Sequence, residues 1–193
     1  MAWWAWVIIG IVVVLILWFF GIYNGLVRLR NQVKNAWAQI DVQLKRRHDL
    51  IPNLVQTVQG YMQYERATLE AVTKARNIAV QAVGQGPAAQ AKAEGELGGA
   101  LSRLLAVVER YPDLKANQNF LALQEQLTST ENKISFSRQF YNDSVFNYNN
   151  RIQMVPSNIV ASMTGFKQGE FFKVEEAEER EVPKVSFEQP KPS

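Results

Sequence analysis

The chain contains no cysteine, which excludes disulfides, thiolate nucleophiles, cysteine-ligated zinc, iron–sulfur clusters and acylation at a cysteine. It leaves the redox compartment undecided. Histidine is nearly absent too. The single His48 rules out a multi-histidine metal site and gives general acid–base chemistry few candidates near neutral pH. The Gly84-Gln85-Gly86 turn lacks the lysine and Ser/Thr of a phosphate-binding loop. No alternating strand pattern competes with helical periodicity anywhere in the core. A net charge of +3 over 193 residues does not point to a nucleic-acid partner, whose binder would carry a basic stripe. These absences predict a protein that is not an enzyme, with no catalytic residue, no metal and no cofactor.

Charge is missing from one long stretch in particular. No side chain from Met1 to Val27 is charged, and Trp3 through Tyr23 consists of Ile, Val, Leu, Trp and Phe interrupted only by Ala and Gly. Between Trp4 and Tyr23 a helix covers roughly 28 Å, close to the hydrocarbon thickness of about 30 Å. Aromatic residues gather at both ends, Trp3, Trp4 and Trp6 on one side and Trp18, Phe19, Phe20 and Tyr23 on the other, as interfacial belts do. The start has no basic region, and no small-x-small site precedes the charged stretch, so the reading is an uncleaved anchor rather than a signal peptide. Arg28, Arg30, Lys34, Lys45, Arg46 and Arg47 follow the span, which by the positive-inside bias predicts an N-terminus outside and a cytoplasmic helical domain. A length of 193 residues leaves room for one domain besides the anchor. The expected division is 1–24 as anchor, 25–175 as helical bundle, and 176–193 as an acidic, then proline-containing tail.

The helical domain reads as four segments. Leu26, Leu29, Val33, Trp37, Ile40 and Leu44 recur at three- and four-residue steps and predict one helix face continuing from the anchor. Pro52 is expected to bend or restart that helix, with Asp49 as a cap. Ile51, Val55, Val58, Met62, Leu69, Val72, Ala79 and Val83 then predict a second long helix, closed at Gly84-Gln85-Gly86-Pro87. Ala88 to about Arg110 is an alanine-rich third helix with Leu97, Leu101, Leu104, Leu105 and Val108 on its buried side. From Leu114 to Val155 the seven-residue spacing of Phe120, Leu127, Ile134, Tyr141, Tyr148 and Val155 predicts a helix roughly 60 Å long, ended by Pro156. A helix of that length predicts an all-α, elongated antiparallel bundle with coiled-coil-like packing. Phe166, Phe171 and Phe172 are expected to dock on it.

Three groups of polar residues stand out. Arg46-Arg47-His48-Asp49 beside Pro52 holds the one histidine next to a carboxylate, but adjacent helix positions point about 100° apart and make no dyad. Capping and surface pairing near the proline is the expected role. Glu65 and Arg76 interrupt the second apolar seam, either as register-setting pairs or at its edge. Asn142, Asn147, Asn149 and Asn150 crowd a helix that asparagine does not favour, which asks for a buried hydrogen-bonding layer or a subunit contact.

Several strings together resemble the LemA family of bacterial single-pass membrane proteins. They are Tyr23-Asn24-Gly25-Leu26-Val27, Ala36-Trp37-Ala38-Gln39-Ile40-Asp41-Val42-Gln43-Leu44, Arg46-Arg47-His48-Asp49-Leu50-Ile51-Pro52-Asn53-Leu54-Val55, Tyr148-Asn149, Pro156-Ser157-Asn158-Ile159-Val160-Ala161 and Arg180-Glu181-Val182-Pro183-Lys184-Val185-Ser186-Phe187. The resemblance implies an anchored helical domain in the bacterial inner membrane, with no established activity or cofactor. The expected function is a non-enzymatic scaffold whose partners are the lipid bilayer and further copies of itself, a homo-oligomer. The alternative is an adaptor or substrate of a membrane protease or other membrane protein, with the acidic tail from Glu175 as the docking element.

Overall fold

The computed structural model describes residues 3–62 and 64–173. The expected tail, 176–193, lies outside them. Six helices, α1 (Trp3–Gln59), α2 (Arg66–Ala82), α3 (Pro87–Val108), α4 (Pro112–Lys115), α5 (Gln118–Gln153) and α6 (Ser157–Thr164), make an all-α fold with no strand among the described residues.

The 57 residues of α1 span about 85 Å and carry two different surfaces in succession. From Trp3 to Trp18 its large side chains point outward on every face, and α1 is the one described helix long and apolar enough to cross a membrane. Packing starts at Ile22 and Leu26, and from there Ala36, Ile40, Leu44, Ile51, Leu54 and Val58 form the buried stripe that the three- and four-residue steps predict.

The helix does not restart at Pro52. It runs through the proline to Gln59, and Asp49 is an exposed mid-helix residue rather than a cap. The break falls instead at Gly60-Tyr61-Met62, where the Tyr61 and Met62 amides both turn back to the Val58 carbonyl. Glycine is the poorest helix former after proline, and burial of Met62 pulls the chain inward at this point. The expected second helix is therefore divided, its first part belonging to α1 and its second to α2.

Helices α1, α2, α3 and α5 form a four-helix head in up-down-up-down order. Its core comprises Ile51, Leu54 and Val58 of α1, Leu69 and Val72 of α2, Leu97 and Leu104 of α3, and Phe120 of α5, closed at the end by Leu114 of α4. Each fully buried leucine or phenylalanine contributes on the order of 1.5–3 kcal/mol. The alanines permit close helix approach, with Ala79, Ala91, Ala93 and Ala100 all buried. At the far end, Asn117 caps α5 by accepting from the Asn119 and Phe120 amides and donates to the Tyr61 hydroxyl, tying this cap to the α1–α2 turn.

Nearer the apolar span, α1 and α5 continue alone as an antiparallel pair: Trp37 stacks edge-on against Tyr141, while further along α1 Arg47 meets Glu131. The predicted seam holds, with Phe120, Ile134, Tyr141 and Tyr148 buried and Leu127 partly so. Val155 departs from it: α5 ends at Gln153 before Pro156, and Val155 is exposed. Helix α6 then packs Val160 and Ala161 on Ile22 and Leu26, with Phe166 edge-on to Tyr23. After the left-handed Gly165, residues 166–173 run back along the α1–α5 pair and bury Phe172 between Trp37 and the Arg138 guanidinium.

Candidate functional site

Two polar assemblies occupy the bundle. The first is built on adjacent residues of α1. Arg47 and His48 are both buried, and both reach one carboxylate, that of Glu94 on α3. The Arg47 Nη1 donates to Glu94 Oε2 at 3.3 Å, and His48 Nε2 lies 2.7 Å from Glu94 Oε1. Although their side chains leave α1 in different directions, the two oxygens of a single carboxylate bridge them. Arg47 also pairs with Glu131 of α5 at 3.4 Å, so the guanidinium links three helices. Gly98 makes room for it: a Cβ there would sit 3.4 Å from Arg47 Nη2.

The expected surface pairing is thus a buried ionic cluster, while Arg46 and Asp49 stay exposed. Arg47, His48 and Glu94 are closed from solvent, while Glu131 stands half-exposed at the rim. Among the described residues no three His, Asp or Glu side chains group to hold a metal ion. The cluster's physical effect is register. Sliding α3 or α5 along α1 strands a buried cation, an error that costs several kcal/mol. Glu94 escaped the sequence reading because an isolated glutamate in an alanine-rich helix carries no local signal, and its partners lie 46 and 47 residues away.

Arg76 explains how α1 tolerates its proline. Pro52 has no amide hydrogen to give the carbonyl four residues back, which belongs to His48. Arg76 of α2 supplies the missing donor, its Nε lying 3.2 Å from the His48 oxygen. Of the two readings of this seam interruption, pairing with a neighbouring helix is the one realised. Glu65 stands just before α2 and pairs with Arg110 at 3.1 Å, at the edge of the head. A step nearer the apolar span, burial raises the Asp41 carboxyl above its usual range, opposed by hydrogen bonds to Gln90 and Trp37.

The second assembly accounts for two of the four asparagines, Asn142 and Asn149. Asn142 Nδ2 donates to the Phe172 carbonyl at 3.1 Å and its Oδ1 accepts from the Phe172 amide at 2.9 Å. Asn149 repeats the pattern with Gly169, at 2.9 and 2.8 Å. One residue before each, a tyrosine hydroxyl donates to the same segment: Tyr141 to the Glu170 carbonyl and Tyr148 to the Lys167 carbonyl. A Tyr-Asn pair repeated after seven residues therefore holds residues 167–172 by their backbone, satisfying peptide groups that have no strand or helix to pair with. Burial, and then the charge of Glu170, push the Tyr141 phenol up to about 12. The phenol of Tyr148 is raised by burial and lowered by Arg30. Asn147 is exposed and takes no part.

A long apolar helix continuing into an antiparallel bundle, with polar groups spent on register and on clamping its own chain, defines a membrane-associated helical-bundle protein. The chain belongs to the LemA family, whose model matches residues 36–187. It is similar to magnetosome protein MamQ 2 of Paramagnetospirillum magneticum, 28% identical over 174 residues that cover 78% of this chain and 64% of the relative. Magnetosome protein MamQ of Magnetospirillum gryphiswaldense is 27% identical over the same shares. Protein LemA of Metamycoplasma hominis is 24% identical over 159 residues, 82% of this chain and 72% of the relative. The chain thus spans a little under two thirds of the length of the MamQ proteins it matches.

Proposed function

We propose that the protein is a non-enzymatic scaffold, anchored by the first part of α1 in the bacterial inner membrane with its bundle in the cytoplasm, and that it self-associates through the outer face of α1 and α5. The observation that carries this reading is an unpartnered apolar face far from the anchor's end. Phe136 is 73% exposed and Val42 63%, and they flank one groove with Ala38 and Gln39. Phe140, one turn on from Phe136, is exposed as well. Aromatic side chains bury on the order of 150–250 Å² each when covered, so two rings left in water are a strong drive toward association. Copies anchored in one membrane present this face at one height, which favours a closed ring or dimer over scattered contacts. Arg28, Arg30 and Lys34, exposed just beyond the span, support the cytoplasmic side.

The test is native mass of the full-length protein in mild detergent. A discrete oligomer is expected, and Phe136→Asp should convert it to monomer with unchanged helical circular dichroism. A wild-type monomer overturns the scaffold and moves the reading to an adaptor, for which loss of membrane-protease capture on deleting Glu175 to Ser193 is the deciding result.

A further inference from the structure

Between Arg151 and Lys167 the chain carries no charged side chain over fifteen residues, Ile152 to Phe166. The structure places this second uncharged run against the first. Val160 and Ala161 of α6 are buried on Ile22 and Leu26 of α1, at the end of the apolar span. From Trp4 the helix has risen roughly 27 Å at Ile22 and about 33 Å at Leu26, so a span of about 30 Å surfaces level with α6.

The packed face of α6 uses small residues, whereas its large apolar ones point away from the bundle. Met154 is 58% exposed, Val155 78%, Ile159 54% and Met163 72%. Ile159 and Met163 are four residues apart and share one face of α6, and Met154 and Val155 stand exposed in the loop that leads into it, together one apolar stripe. No other described helix covers it. In water this arrangement exposes four large apolar side chains on an eight-residue helix and its leading loop, with no compensating contact. At a bilayer boundary the same stripe enters the acyl region while the cations at its ends reach headgroups. Arg151 and Lys167 flank the run, and Arg28 and Arg30 stand on the neighbouring turns of α1, the latter folded over the Phe166 ring.

We infer that α6 and the Met154–Pro156 loop form a second membrane-contact element, lying in the interface beside the point where α1 emerges, with the bilayer as the occupant of the exposed stripe. The bundle is thereby held at two adjacent places instead of one. Its tilt is fixed at the surface, and the α1–α5 pair stands at a set angle to the membrane. This inference rests on α1 spanning the bilayer.

The absence of native cysteine makes the test direct. Single variants Ile159→Cys, Met163→Cys, Ser102→Cys and Val12→Cys of the full-length protein are spin-labelled and reconstituted in vesicles of phosphatidylcholine and phosphatidylglycerol, Ser102 being an exposed residue of α3 away from the Val42–Phe136 face. Collision with oxygen and with a water-soluble nickel chelate then reports depth. Labels at 159 and 163 are expected about 5–10 Å below the phosphates, with that at 12 deep in the hydrocarbon and that at 102 in water. Water-like accessibility at 159 and 163 while 12 remains deep overturns the second contact and leaves the anchor standing. Low accessibility to both reagents at 159 and 163 overturns it in favour of a protein covering the stripe. A water-exposed label at 12 overturns the anchor itself, and the inference with it.

Discussion

Replacing Glu94 by alanine removes the carboxylate that Arg47 and His48 of α1 share, and the structure sets the size of the effect. Among the described residues His48 is left with no hydrogen-bonded side-chain partner, having lost the one at 2.7 Å, and Arg47 keeps Glu131, whose side chain is 54% exposed. Breaking a buried ionic contact from one side costs about 3–5 kcal/mol because the remaining groups stay desolvated. With Glu131 retained, Glu94→Ala should fall near the lower end, about 3 kcal/mol. At roughly 2–4 °C per kcal/mol for a chain of this size, thermal unfolding followed by circular dichroism in detergent should shift down by about 6–12 °C. Glu94→Gln, which keeps an oxygen for His48 but withdraws the charge from Arg47, should fall between alanine and wild type. Replacing the whole cluster, as Arg47→Met, His48→Leu and Glu94→Leu together, should restore most of the loss, since an apolar filling leaves no stranded polar group. A shift under about 2 °C for Glu94→Ala, or a triple variant no better than the single one, would refute the view that these groups are desolvated and mutually dependent.

Pro52→Ala returns an amide to the His48 carbonyl and relieves the ring clash; because Arg76 already supplies one hydrogen bond there, stability should rise by about 1–2 kcal/mol, read as a higher melting temperature. Asn149→Ala removes both bonds to Gly169 and should cost about 1–3 kcal/mol, with faster amide hydrogen exchange at Lys167 to Lys173 than in the wild type and unchanged exchange in the head. For Tyr141 the folded phenol binds its proton up to about pH 12 whereas the unfolded one releases it near 10. Stability from this group is complete below pH 10 and is lost as pH rises from there through 12. Tyr141→Phe should cost about 1 kcal/mol at neutral pH and flatten the fall between pH 10 and 12 in pH-resolved melts; a slope identical to the wild type would remove Tyr141 from the alkaline transition.

Much of this architecture is local in origin and legible in the residues. An uncharged run with aromatic ends, apolar steps of three and four, and a glycine-proline turn at Gly86-Pro87 each act over one or two helical turns. They set the all-α fold, the candidate span and the buried stripes of α1, α3 and α5. The density of asparagine was visible too, and a buried hydrogen-bonding layer was one of its two readings. What it bonds was not visible, because residues 167–172 have no periodicity of their own and become ordered only against Tyr141, Asn142, Tyr148 and Asn149.

Pro52 shows where local reasoning fails. Taken alone, the proline breaks a helix; in the bundle, a donor from Arg76, 28 positions from His48, meets the carbonyl it leaves open, and the helix continues to Gln59. Glu94 and Arg47 are likewise ordinary surface-type residues until folding puts one carboxylate between two helices. The exposed apolar residues Ile159 and Met163 of α6 belong to the same class: their spacing is in the sequence, but their height beside Ile22 and Leu26 is a fact of packing. The sequence by itself determined that the chain is helical and which faces are apolar, since those follow from short-range backbone and solvation energies. Only the tertiary structure decided which polar groups meet and what lies level with the end of the span, because those contacts join residues tens of positions apart and form only once the helices are placed.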